Sequence, residues 1–484
     1  MVTFRHSALA LIFSLTTGCL VGKDYSRPDL ALPEKFPGGA EAASINPAEM
    51  EKLVWWELFK DEALQSLITR GLERNLDLMI AANRVDQAKA ALGFTNSDMW
   101  PSITASGASK KTGISTIAVV PLPFPGLDTT RYNNRYTLDL DWEIDLWGKL
   151  RRASESARAQ LVGTKAYEGL IRQSVVTGIA TAFYTIKDLR RQLKSATDTV
   201  ASREQGLQLW LDRERAGMAS SLEIEQARSL VFSAKQTQSV IEQQLSEANS
   251  SLAILLGEYP DGKLIAQSDS DIPPDTAPAT IPAMMLEHRP DLIQAELNVV
   301  AANADVGAAF AEFLPSVQIA GYWGGDAVDI GKIITGPARV FALGPNVSIP
   351  IFQGGKLFNY YDEKKAILAE AVNNYKLTVV RAFKEVYDAK IATEKTSETY
   401  QHQARFRDSL AEVLRLSRVR YETGSSNFLD LLDAEREYFQ AELTLSQRRR
   451  EKELALVQLY KALGGGWELK PEEPKVEQTV SLKQ

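Results

Sequence analysis

Tyr136-Thr137-Leu138-Asp139-Leu140-Asp141-Trp142-Glu143-Ile144-Asp145, followed at once by Leu146-Trp147-Gly148-Lys149-Leu150, is the stretch that decides the fold. Tyr136, Leu138, Leu140, Trp142 and Ile144 alternate with Thr137, Asp139, Asp141, Glu143 and Asp145. A period of two puts the first set on one face of a strand and the second on the other. One face is then apolar and the opposite face acidic, as in a strand that separates lipid from water. A half-exposed sheet of a water-soluble domain gives the same alternation, so the stretch needs company before it implies a membrane.

A second copy supplies that company. At an offset of 207 residues, Gly148-Lys149-Leu150 falls on Gly355-Lys356-Leu357, Gly217 on Gly424, Ala227 on Ala434 and Leu256-Gly257 on Leu463-Gly464. Leu140, Trp142 and Ile144 fall on Val347, Ile349 and Ile351, so the same face is apolar in both copies. At an offset of 214, Asp77-Leu78 falls on Asp291-Leu292, Gly93 on Gly307 and Pro101-Ser102 on Pro315-Ser316. A period of about 200 residues is far too long for a solenoid, so each copy is a whole structural half. Strands are expected at about 102–109 and 133–145 in the first half and at about 316–323 and 339–351 in the second.

None of the 20 prolines lies between Pro125 and Pro260 or between Pro350 and Pro471. Proline breaks helix interiors, so each half holds a long stretch free to be helical. A glycine turn interrupts each stretch once, at Arg215-Ala216-Gly217-Met218 and at Tyr421-Glu422-Thr423-Gly424. From Gly148 to Arg213 a helix would run roughly 100 Å at 1.5 Å per residue, too long for a compact core. Each half therefore reads helix, strand, strand, long helix, turn, helix. Four strands cannot close a barrel, and an open edge cannot sit in lipid. Three copies would give twelve strands around an aqueous lumen.

Residues 1–18 read as an export leader, with Arg5 ahead of the apolar run Ala8 to Leu15 and small residues at Thr16-Thr17-Gly18. Cys19, the single cysteine, follows and resembles the lipidated cysteine of bacterial lipoproteins, with Leu20 behind it favouring the outer membrane. Acylation would leave no thiol for a disulfide, a nucleophile or a zinc site. His288 and His402 are isolated, and Met284-Met285 reads as core filler, so neither a metal nor a cofactor is expected. A net charge of −7 argues against a nucleic-acid partner. No enzyme constellation is present in this pattern.

Asp24-Tyr25-Ser26-Arg27-Pro28, the stretch Asp139 to Lys149, His288-Arg289-Pro290-Asp291, Phe313-Leu314-Pro315-Ser316 and Ala462-Leu463-Gly464-Gly465-Gly466-Trp467 together resemble the outer-membrane efflux protein family of the OprM/TolC type, the exit ducts of tripartite export pumps. The resemblance implies a mainly α fold with transmembrane β, built from duplicated half-repeats into a trimeric twelve-stranded β-barrel continued by a long α-helical periplasmic tunnel. It implies a homotrimer in the outer-membrane lipid, with a periplasmic adaptor and an inner-membrane transporter of the resistance-nodulation-division type as partners. Lipidation falls on Cys19. The periplasmic gate falls on Asp430 and Asp433, three apart on one helix face, with Tyr421 and Glu223 in the positions that tie neighbouring helices shut. Ser426 stands where the family's basic latch partner is found. The adaptor-docking turns are Arg215, Gly217 and Met218 together with Thr423, Gly424 and Ser425. Asp139, Asp141, Glu143 and Asp145 are either an acidic barrel lumen that biases the pore toward cations or simply the wetted face of any barrel.

On this reading the chain divides into a leader at 1–18, a lipid-anchored segment at 19–60, a first repeat at 61–260, a linker at 261–280, a second repeat at 281–466 and a tail at 467–484. The expected function is a passive conduit for drugs, small molecules or ions. A type I protein-secretion duct and a lipid-anchored periplasmic coiled-coil scaffold are the competing readings, and the sequence does not name the cargo.

Overall fold

The computed structural model describes residues 20–28, 59, 61–113, 115, 130–262 and 288–464. The leader, Cys19, Met284, Met285, the tail from 467 and most of the segments 19–60 and 261–280 lie outside the described residues.

The first half runs through helix α1 (Glu62–Arg74), helix α2 (Leu76–Ser97), strand β1 (Ser102–Gly113), strand β2 (Thr130–Ile144), helix α3 (Lys149–Arg215) and helix α4 (Ser221–Leu255). The second runs through helix α5 (Pro290–Ala311), strand β3 (Ser316–Ala327), strand β4 (Arg339–Ser348), helix α6 (Lys356–Glu422) and helix α7 (Phe428–Ala462). The duplication is carried into element lengths. α2 and α5 have 22 residues each, α3 and α6 have 67 each, and α4 and α7 have 35 each. At 1.5 Å per residue α3 and α6 are each about 100 Å long. Among the described residues no helix is long and apolar enough to cross a membrane.

The chain forms two compact units. The first holds residues 20–28, 85–164 and 295–375. Its four strands make one antiparallel meander, β1-β2-β3-β4. The register stacks Ile103 on Leu140, Leu140 on Gly321 and Gly321 on Leu343, and in the next row Ala105, Leu138, Trp323 and Phe341. Directly opposed residues share a face, so these rows build one apolar face. Ile103, Leu138, Trp323, Phe341, Leu343 and Val347 are all exposed on it. β1 continues past Ser109 to Gly113, and β4 stops at Ser348 rather than at 351. The last pair of that ladder is Ser316 with Ser348; β3 starts only after Pro315, so Ile349 and Ile351 have no opposing strand.

Segment 20–28 is held along this unit by Arg152, whose side chain is almost fully buried. Its guanidinium donates to Val21 O (3.2 Å), Gly22 O (3.3 Å) and Asp24 Oδ1 (2.8 Å). Gly22, at φ +92°, passes so close that a Cβ there would lie 2.9 Å from Gly307 Cα.

The second unit holds residues 59–84, 165–262, 288–294 and 376–464 of the described chain. Phe59, Leu64, Ile68, Ile179, Phe183 and Leu252 lead its core, with Val457 and Tyr460 of α7 packed against them. Beside this core, α3 and α7 exchange charges. Asp188, fully buried, accepts from Ser446 Oγ (2.5 Å), Gln192 Nε2 (2.9 Å) and Arg450 Nη1 (2.9 Å). Glu453 is served less well. Arg449 Nε is 3.4 Å away and Arg191 Nη2 3.7 Å, and Glu453 Oε2 has no hydrogen bond. Burial raises the Glu453 carboxyl above its ordinary range, against the pull of Arg191, Arg449 and Lys187. Ion pairs at these lengths do not offset desolvation of a carboxylate.

The folded state thus prefers the protonated Glu453. That stabilisation is complete below the unfolded-state pKa and is lost as pH rises through the raised folded value. Glu453→Gln should therefore raise the melting temperature at pH 7.5, and the gain should shrink as pH falls, vanishing only below the unfolded-state glutamate pKa of about 4.3. Calorimetric scans of both proteins across that range check it; a gain independent of pH would show that burial is not the dominant influence.

Candidate functional site

The tips of the two helical pairs are built alike. Met218 N donates to Arg213 O and Ser425 N to Arg420 O, both at 2.8 Å, while Gly217 and Gly424 sit at φ +73° and +72°. Among the described residues, chain neighbours aside, nothing lies within 4 Å of a Cβ placed on either glycine. The left-handed C-cap conformation, not crowding, therefore accounts for glycine here. Arg215, Gly217, Met218, Thr423, Gly424 and Ser425 are all exposed.

Behind the tips an aromatic cluster joins the two halves. Trp210 of α3 stacks on Phe428 of α7 with ring centroids 4.2 Å apart, and Tyr421 of α6 lies 5.7 Å from both. Ile224, Leu431 and Leu432 complete the cluster. Arg213 lies 5.1 Å from the Trp210 ring and donates from Nη1 to the Tyr421 hydroxyl at 3.1 Å. Burial raises the Tyr421 phenol pKa; Arg213 opposes this and Glu223 adds to it. The sequence reading missed Arg213 because it sought a basic partner at position 426. Ser426 instead donates its hydroxyl to Asp430 Oδ2 at 3.0 Å.

Within the single chain Glu223 is bonded to its own helix end. Its carboxylate accepts from Ser220 N (2.8 Å) and Ser220 Oγ (3.0 Å), closing the capping box of α4. The pattern Ser220-x-x-Glu223 is the sequence signature of such a box. Asp145 does not belong to an acidic strand face. β2 ends at Ile144, and Asp145 accepts from Leu150 N (3.2 Å), Arg151 N (3.0 Å) and Arg151 Nε (3.1 Å) at the start of α3. Backbone N–H groups at a helix N-terminus recruit a carboxylate in this way.

Asp430 is exposed at the first turn of α7, its N–H capped by Asn427 Oδ1 at 2.9 Å. Asp433 pairs with Arg436 at 2.9 Å, a surface contact of little energetic weight. Asp139, Asp141 and Glu143 stand on the polar face of the sheet. Thr137 Oγ1 donates to Asp139 at 3.1 Å, and Glu143 meets Lys149 Nζ at 2.6 Å. A cavity of about 740 Å³ opens there, lined by Glu143, Lys149, Glu312, Lys356, Tyr360 and Glu363. Among the described residues no group of three or more His, Cys, Asp or Glu is placed to hold a metal ion.

The family model described as "Outer membrane efflux protein" matches residues 67–258 and again residues 281–465. The cation efflux system protein CusC of Escherichia coli O6:H1 is 29% identical over 457 residues, covering 93% of this chain and 96% of the relative. The toluene efflux pump outer membrane protein TtgF of Pseudomonas putida is 29% identical over 472 residues, covering 96% and 97%. A membrane protein of Pseudomonas aeruginosa solved by crystallography superposes with a TM-score of 0.83 at 28% identity, over 93% of this chain and 98% of that one. The chain belongs to the outer membrane efflux protein family. Its fold class is that family's trimeric barrel and helical tunnel, and its work is that of an outer-membrane exit duct.

Arg213 and Tyr421 should be energetically coupled. Tyr421→Phe and Arg213→Ala should each destabilise the tip, and the double substitution should cost about 1 kcal/mol less than their sum, the worth of one hydrogen bond. The coupling should hold from pH 6 to 9. The phenol, its pKa raised above the ordinary value of about 10, stays protonated over that range and accepts from Arg213 throughout. Denaturant titration of the four proteins measures it, and strict additivity would remove the bond from the account.

Proposed function

We propose that, as a member of this family, the chain closes a barrel with two further copies and conducts small molecules or ions passively, without catalysis. The observation that carries the reading is the sheet itself: an exposed apolar face, an opposite polar face and two unpaired edges in one chain. Lipid covers the first face, water the second, and neighbouring copies the edges. A periplasmic adaptor docks on the exposed turns at Gly217 and Gly424 and links the duct to an inner-membrane transporter of the resistance-nodulation-division type. Cys19 carries the lipid anchor. The leader, anchored segment, two repeats, linker and tail keep the boundaries 1–18, 19–60, 61–260, 281–466, 261–280 and 467–484.

The relatives are named for a cation system and for a toluene pump. Cargo that diverse assigns the choice of substrate to the transporter and leaves the duct permissive. The duct's own control is the gate. Asp430 and Asp433 from three copies form stacked carboxylate rings at the mouth of the helical tunnel, and the Arg213–Tyr421 bond latches it.

Rings of carboxylates bind multivalent cations. The purified trimer in a planar bilayer should conduct weakly and be blocked by a trivalent cation added on the helical side only. Asp430→Ala with Asp433→Ala should weaken the block roughly tenfold or more, a loss of about 1.4 kcal/mol or greater in cation binding. Equal block in both proteins would move the ring elsewhere.

A further inference from the structure

The register of the sheet places a second set of charges on the polar face, opposite in sign to the acidic one. Positions sharing that face of β2 are Arg131, Asn133, Arg135, Thr137, Asp139, Asp141 and Glu143, in order from the loop end to the helical end. Lys110 of β1 opposes Asn133 and joins the basic group; Asp326 of β3 opposes Arg135 and is the one carboxylate among them. Toward the helices the same face carries Ser102, Thr104, Ala320 and Gln318, with no cation on any strand. Lys149, just past the strand, pairs with Glu143 and leaves Asp139 and Asp141 without a cationic partner on the sheet. Lys111 and Arg339 are also basic, but they stand in the rows of the apolar face.

Between the two groups lies a short neutral belt of Ser106, Thr137, Gly324 and Val340. The Arg135 guanidinium rests 4.7 Å from the ring of Tyr322, the residue that opposes Asp139, so of the basic group it reaches nearest the acidic row, while Lys110 and Arg131 stand farther toward the loop end. Along the strand even the nearest pair of the two groups, Arg135 and Asp139, is about 13 Å apart, and Arg131 to Asp141 is about 33 Å, at about 3.3 Å per residue. Both distances exceed the Debye length of about 8 Å at physiological ionic strength. The two groups therefore act on a permeating ion as separate zones instead of cancelling.

We infer that the barrel lumen is bipolar: a basic girdle of Lys110, Arg131 and Arg135 toward the outside and an acidic girdle of Asp139, Asp141 and Glu143 toward the helices. The inference rests on the reading of the polar face as the lumen of a closed barrel. A negative zone followed by a positive zone rectifies. When cations are driven outward, cations enter through the acidic zone and anions through the basic zone, and both accumulate at the junction. Under the opposite field both are depleted there, and the current falls. The girdles thus add a selectivity element to the duct that is distinct from the gate at the helical tips.

The test is the current–voltage curve of the purified trimer inserted in one orientation in a planar bilayer. At about 0.1 M salt, where the Debye length is about 10 Å, current with the helical side positive should be roughly twice that with it negative; at about 1 M, where it is about 3 Å, the ratio should approach one. Lys110→Gln, Arg131→Gln and Arg135→Gln together should abolish the asymmetry at low salt, and the charge-keeping set Lys110→Arg, Arg131→Lys and Arg135→Lys should retain it. The pair Asp430→Ala and Asp433→Ala should keep the asymmetry, since the barrel girdles remain. Symmetric wild-type current at low salt, or asymmetry that survives the three glutamines, overturns the bipolar lumen while leaving a conducting duct in place. Absence of any conductance in wild type and in the gate variant overturns the duct reading and this inference with it.

Discussion

The requirement that every backbone N–H and C=O in lipid find a partner within protein organises this molecule. Among the described residues one chain supplies four strands, with the outer edges of β1 and β4 unpaired. Such an edge has no stable place in a bilayer, so the single chain is an incomplete object. The register gives completion a direction, because the face bearing Leu138, Trp323 and Phe341 must turn to lipid and the face bearing Asp139 to water. A slip of one residue would exchange the two faces, which makes the alternation from Tyr136 to Ile144 a strict specification.

The duplication answers the same constraint economically. Helices of 67 and of 35 residues recur in both halves, so two similar hairpins are each followed in the chain by a similar helical pair. Divergence falls where the constraint relaxes. β2 has 15 residues and β4 has 10, and Pro345 inside β4 carries no N–H that would need a partner when a neighbouring copy pairs with that strand.

Elements bounded by periodicity, proline and glycine were legible in the sequence, because each signal is local. The turns at Gly217 and Gly424 announce themselves by residue type, and the capping box of α4 was equally available in Ser220 and Glu223. Contacts that bridge distant positions were not. Arg152 meets Asp24 across 128 residues and Arg213 meets Tyr421 across 208, and no period in either neighbourhood marks the pair. Asp145 misled for a different reason. It continues the acidic alternation by one step after the strand has ended, and only the N–H groups of Leu150 and Arg151 reveal its use. The basic girdle escaped because the alternation was read from Tyr136 onward, beyond Arg131 and Arg135.

The two ends of the chain's ionic and aromatic design suit different tasks. Asp188, without exposure and with three partners, joins α3 to α7 where the helices have no reason to part. Removing one partner from such a buried charge costs about 3–5 kcal/mol. At the tips the joining contacts are of another kind: ring contacts worth about 0.5–1.5 kcal/mol each, one cation–π contact of about 0.5–1 kcal/mol and one hydrogen bond of about 1 kcal/mol. Their total is a few kcal/mol. Moving a two-state equilibrium from almost closed to almost open needs about 5.5 kcal/mol of differential binding, which is within reach of a protein partner. A tip closed by buried ion pairs would resist any such partner, and one closed by nothing would leak. On the proposed reading of the tips as gate and docking end, Trp210, Arg213, Tyr421 and Phe428 place the closure between those limits, so that opening can belong to the docked partner instead of to the duct alone.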